Sequence, residues 1–261
     1  MRSLTQRSLT GQRAKGKGQT FTAAERRLIA RLRTPLDVQK YLNALPYNNE
    51  PPPGRATLRS FRGVVRHGTA HCLEAALFAA TVLEQHGYPP LVISFESIDE
   101  LDHVIFVYEH PKRGLTPLSS TGVRPRWGSV ARSRDPGLHG RKPLFATPRA
   151  LAASYLDTYV DLTGRITAFA LVDLRVMGTY DWRLSGKNVW KVERMLLDTK
   201  HQPLRMPEGR FRAFRTRYRA FKAQYPDRKP LFYEGRDKWT PIPNHFLESL
   251  PRRSPNGRRR V

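Results

Sequence analysis

Residues 68–108 read GTAHCLEAALFAATVLEQHGYPPLVISFESIDELDHVIFVY, and the punctuation of this stretch sets the order of elements around it. Leu73, Leu77, Ala80 and the Val82-Leu83 pair recur at a roughly helical period, which predicts a helix over about 72–86. Gly87 suits the residue that closes a helix, and Pro89-Pro90 forbids continuation. Two β-rich runs follow, LVISFES and HVIFVYE, separated by the polar turn IDELD. Residues 111–114 turn the chain, and LTPLSS (115–120) supplies a third strand. The order helix, strand, strand, strand reads as an α+β unit.

Working outward, Thr-Ala-Ala-Glu at 22–25 has the form of a capping box and predicts a helix over about 22–33. Thr34-Pro35 starts a second helix, which runs through LDVQKYLNAL and stops near Pro46. NNEPPPG is a loop, and RATLRSFRGVVRHG reads as a short helix ending near Gly68. Downstream, residues 122–145 are rich in Gly, Arg and Pro and read as irregular. A helix near 147–156, a buried strand over 166–177 (ITAFALVDLRVM) and a helix over NVWKVERMLLD capped by Ser185 follow. Residues 208–224 form a helix with Phe211, Phe214, Tyr218 and Phe221 on one stripe. Such a stripe faces a core while its arginines face water; stacking of nucleic-acid bases is the competing reading. Trp182, Trp190 and Trp239 read as packing residues. No internal repeat is present. The expected organisation is a single domain over 20–250 between disordered basic tails at 1–19 and 251–261.

Composition bounds the function. A hydrophobic share of 39% over 261 residues supports a real core. The N-terminus lacks the apolar run of a secretory signal, and no stretch approaches the roughly 20 apolar residues of a membrane span, so a cytoplasmic protein is expected. Net charge is +24, concentrated at the ends: residues 1–34 hold nine Lys/Arg against one acid, and residues 200–261 seventeen against five. Such ends attract nucleic acid non-specifically at low salt. Residues 71–110, in contrast, carry seven acids and no Lys or Arg. A chain built only to bind nucleic acid has no obvious need for that segment.

The chain has one cysteine, which excludes an intrachain disulfide and an all-cysteine metal cage. Cys72 falls at a helix N-terminus, where free N–H groups and the dipole favour thiolate, and its own backbone N–H is a candidate oxyanion donor. His103 opens the second strand, and strand pairing can return it to the helix start as the base of a nucleophile–base pair. Nearby carboxylates disfavour thiolate but favour imidazolium. An inert core cysteine is the competing reading. His67, His71 and Cys72 also invite a metal reading, but Gly68 and the helix start fall between them and nothing else completes a tetrahedral site. His71 then reads as a polar residue at the rim of the site. The run from Ser133 to Arg141 is a candidate loop over the site.

The stretch 68–108, with its Gly before Cys, small-residue helix closed by Gly, strand, and strand headed by His, resembles the core of the transglutaminase-like superfamily of papain-like cysteine hydrolases. TPLDVQKYLNALPYN upstream is similar to the lead-in of some bacterial members. The resemblance covers about residues 34–121. It implies a Cys-bearing helix packed on an antiparallel sheet bearing His, here with helical N- and C-terminal extensions. It also implies a thiol enzyme acting on a peptide or amide substrate, with Cys72 as nucleophile and His103 as general base and acid. Hydrolysis is favoured over transamidation, and no cofactor or metal is called for. Where the family places an Asp on the next strand, this sequence has Ser119, which can orient His103 only as a neutral hydroxyl; Asp102 and Asp135 are the other candidates. Without that Asp, a non-catalytic scaffold binding nucleic acid or another polyanion is the alternative.

Overall fold

The computed structural model describes residues 20–50, 56–97, 103–111, 124–159 and 164–248. The basic tails at 1–19 and 251–261, the 98–102 turn with Asp102, and the strand expected at 115–120 with Ser119 lie outside the described residues.

The helix starts follow their caps. α1 (Ala23–Arg31) begins at Thr22, whose hydroxyl accepts from the Glu25 N–H while the Glu25 carboxylate takes the Thr22 N–H. α2 (Pro35–Ala44) repeats the arrangement with Thr34 and Asp37. α3 (Phe61–His67) starts at Ser60 and closes on Gly68, whose φ of 65° is the left-handed conformation glycine adopts without strain. α4 (Cys72–Glu84) is buried from Leu73 to Leu83. A largely apolar helix buried on all sides belongs inside the molecule, and α4 is its central helix.

Five strands form one sheet: β1 (Leu91–Ser97), β2 (His103–His110), β3 (Arg126–Val130), β4 (Ile166–Asp173) and β5 (Gln202–Pro203). Their order is β3-β2-β1-β4-β5, and every pairing is antiparallel. β2 is buried from His103 to Tyr108 because both of its faces are covered. Val104, Phe106 and Tyr108 join the cluster around α4. Ile105 and Val107, with Ile93 and Phe95 of β1, pack on Leu151, Ala152 and Tyr155 from α5 (Pro148–Ala153) and the turn after it.

Three expectations are corrected. β3 lies inside the 122–145 segment that reads as irregular. It pairs with the edge of β2, and Gly128 is there because a Cβ would stand 2.8 Å from the Tyr108 ring; that close approach is tertiary and leaves no local pattern. The strand expected over 166–177 ends at Asp173, and Leu174–Met177 is a 3₁₀ turn opened by the Asp173 carboxylate accepting from the Arg175 N–H. α6 (Trp190–Asp198) starts after Val189 and not at Ser185, whose hydroxyl closes a local turn by accepting from the Lys187 N–H. α7 (Glu208–Gln224) occupies its predicted span, with Phe211 buried and Arg212 and Arg219 exposed. Among the described residues no helix is long and apolar enough to cross a membrane.

Candidate active site

Cys72 is the first residue of α4 and is half-buried. The chain just before it is pinned from below: Tyr47 and Ala70 form a parallel bridge, with the Asn48 N–H donating to the Ala70 carbonyl at 3.2 Å. This lays the Tyr47 phenol over the helix start, where it accepts a hydrogen bond from the Cys72 backbone N–H. The amide read from sequence as an oxyanion donor is therefore occupied by a side chain in this structure. Burial pushes the Tyr47 phenol well above its ordinary value, so it stands there neutral.

His103 stands at the first position of β2, opposite Phe95 in the β1 register, and the two rings lie parallel with centroids 6.2 Å apart. Its Nε2 is 3.0 Å from the Leu138 carbonyl. A carbonyl only accepts, so Nε2 carries a proton and Nδ1 is the nitrogen left for the sulfur. His103 hydrogen-bonds Cys72 through its side chain, and so does His71. Burial of Cys72 opposes its ionisation, but the hydrogen bonds from His103 and His71, and then their charges, hold the thiol well below its ordinary range.

His71, assigned by sequence to the rim, is thus a direct partner of Cys72. Its Nε2 is 2.9 Å from the Thr57 carbonyl, the same arrangement that holds His103 on Leu138. Behind it lies Glu74, with no side-chain exposure, 3.6 Å from the His71 ring. The Glu74 carboxylate accepts from the backbone N–H groups of His71 (3.1 Å) and Arg59 (2.9 Å), and from Asn48 (3.0 Å) and Thr57 (3.0 Å). Burial works against charge on His71, but the Cys72 hydrogen bond, the Cys72 charge and Glu74 outweigh it and raise its pKa to about 9. His67 closes α3 beyond the left-handed Gly68, which breaks the helical spacing that the metal reading required. Among the described residues no group of three or more His, Cys, Asp or Glu is placed to hold a metal ion.

Among the described residues, the group that orients His103 is a main-chain carbonyl. Ser119 and Asp102 lie outside the described residues, and the Asp135 carboxylate pairs with Lys229 at 3.0 Å. The loop read as a cover does line the site, and it supplies Leu138. This loop is wrapped round Arg141, which is fully buried. The Arg141 guanidinium donates to the carbonyls of His139 (2.7 Å) and Gly137 (2.6 Å), the residues either side of Leu138. It lies 4.0 Å from the Tyr155 ring centroid and 4.9 Å from that of Trp239. Trp182 and Trp239 are buried packing residues as expected, whereas Trp190 is 40% exposed.

Two cavities meet at Cys72, with Tyr47 and Arg134 also shared between them. One, of about 250 Å³, carries His103, Leu138, Tyr159, Tyr218 and Tyr233. The other, of about 830 Å³, carries His71, Glu50, Glu96, Trp190, Glu193 and Leu197. Cys72 therefore lines two cavities, with one imidazole on each. Sequence reasoning missed Tyr47, the role of His71 and the Leu138 carbonyl. Glu74 three residues after His71 had the spacing of a helix-start pair, and that was the one available hint. Neither the models of known protein families nor the curated proteins compared with this chain match it.

Proposed function

We propose that this protein is a thiol-dependent amide or peptide-bond hydrolase with Cys72 as nucleophile and His103 as the general acid and base, on a scaffold of transglutaminase-like type. The observation that carries the reading is a cysteine hydrogen-bonded by imidazole in an open cleft, at the N-terminus of a buried helix. An inert cysteine would be walled in by apolar side chains, and a polyanion-binding scaffold would have no use for an ionised thiol. The Cys-bearing helix against an antiparallel sheet that begins β2 with His103 supports the resemblance noted from sequence.

In this mechanism the Cys72 thiolate attacks the substrate carbonyl carbon and forms a C–S bond. The C–N bond breaks as the His103 imidazolium gives its proton to the departing nitrogen. Water then attacks the thioester while the neutral His103 takes its proton, and the C–S bond breaks to return the thiolate. The Leu138 carbonyl holds the imidazole through both proton transfers but, being neutral, adds less charge stabilisation than a carboxylate. Fluorogenic peptide and amide pools provide the test. Cys72→Ala is expected to lower turnover by at least about 10³-fold with its melting temperature retained. Full turnover in that variant would overturn the mechanism.

A further inference from the structure

Resting on that reading, we propose that Cys72 is shared by two catalytic imidazoles, and that His71 holds the counter-charge of the thiolate so that His103 is left to carry protons.

The geometry is close to symmetric. Each histidine has its Nε2 fixed on a main-chain carbonyl, Thr57 for His71 and Leu138 for His103, at 2.9 and 3.0 Å. Each is thereby left with Nδ1 for the sulfur, and each hydrogen-bonds it. The surroundings are not symmetric. His71 is backed by the Glu74 carboxylate, buried and held by four hydrogen bonds. Among the described residues, His103 has a carbonyl in that place. A cation next to a fixed, buried anion keeps its proton.

Among the described residues, the other charged groups around the pair act in both directions; on the His103 side stand Asp135, paired with Lys229, the neutral His139, and Tyr155, Tyr159, Tyr218 and Tyr233. Arg59, 3.8 Å from Glu74, and Arg134 at the shared rim favour thiolate. Glu50 from the loop before α3, Glu96 from β1 and Glu193 from α6 favour imidazolium across the larger cavity. Tyr47 is neutral and bonds the Cys72 amide. In the catalytic cycle the proton on His71 stays in place, and the proton given to the departing nitrogen comes from His103. Without His71, the thiolate would depend on the same imidazolium that must discharge at the acylation step.

The test is the pH dependence of Cys72 alkylation by iodoacetamide in wild type, His71→Gln, His103→Gln and the double variant, with turnover measured alongside. Cys72 is the only thiol in the chain, so the signal has one source. His103→Gln is expected to lose turnover by about 10²–10⁴-fold while its alkylation rate at pH 6.5 stays within about tenfold of wild type. The double variant is expected to fall at least about 100-fold at that pH, returning towards a thiol pKa of about 8.5. His71→Gln is expected to lose turnover at neutral pH, with the acid limb of its pH profile moved upward and partial recovery at pH 9. Alkylation in His103→Gln as slow as in the double variant would overturn the sharing. Should His71→Gln fail to fold, the His103→Gln profile decides alone: a thiol still titrating well below 8.5 supports the proposal, and one titrating near 8.5 refutes it. An ordinary thiol titration in wild type would instead refute the enzyme reading itself, which keeps the two failures apart.

Discussion

Arg141→Met tests whether a buried cation builds the wall of the site. Arg141 is fully buried, and among the described residues no carboxylate pairs with it; burial lowers its pKa to about 10. Its hydrogen bonds to the His139 and Gly137 carbonyls are the charge-assisted kind, worth about 1.5–3 kcal/mol each, or about 3–6 together. Methionine removes both and recovers the cost of burying the charge, which is several kcal/mol. It also leaves the carbonyls behind. His139 keeps the Tyr155 hydroxyl at 3.1 Å, but among the described residues Gly137 has no second donor, a further penalty of about 1–3 kcal/mol. The lost bonds and the orphaned carbonyl outweigh the relief, because methionine can fill the slot between Tyr155 and Trp239 but cannot bridge two carbonyls. The expected net loss is about 2–4 kcal/mol in urea unfolding. In the folded variant the Leu138 carbonyl is no longer held from both sides, so turnover is expected to fall with little change in substrate KM. Arg141→Lys, which keeps charge but offers one ammonium in place of a fork, is expected to lie between. Equal or greater stability in Arg141→Met, with turnover unchanged, would refute this account of the loop.

Glu74→Ala leaves the His71 and Arg59 amides, Asn48 and Thr57 without their shared acceptor, and a loss of about 3–5 kcal/mol is expected by denaturant unfolding; a loss below about 1 kcal/mol would mean that water replaces the carboxylate. His139 is buried and neutral, its pKa pushed down to about 3 by burial and then by the Arg132 charge. Between about pH 3 and the ordinary histidine value near 6.5 the unfolded chain therefore binds a proton there that the native chain does not, so stability falls as pH drops through this window. The His139 share at pH 5 is about 2 kcal/mol. In urea unfolding, the stability lost between pH 7 and pH 5 should be larger in wild type than in His139→Gln by about that amount, and equal losses would dismiss His139 as the source.

Much of the candidate site is legible in one dimension, and the reason is local chemistry. Thr22-Glu25 and Thr34-Asp37 cap their helices with their own side chains. Gly68 and Gly87 end helices because their φ angles of 65° and 80° suit glycine, and neither fact needs a distant partner. The same locality puts Cys72 at a helix start and His103 at a strand start. What the sequence could not give is whatever acts across distance or through the backbone. β3 hides in a Gly/Arg-rich segment because its reason for being a strand is the edge of β2. His71 reads as a rim residue until the loop carrying Thr57 and the buried Glu74 close behind it. The group that orients His103 is the carbonyl of a leucine 35 positions away. Every residue but proline offers the same carbonyl and N–H, and proline the carbonyl alone, so no residue type can announce that role; only the fold, by wrapping 137–141 round Arg141, decides which carbonyl faces the imidazole.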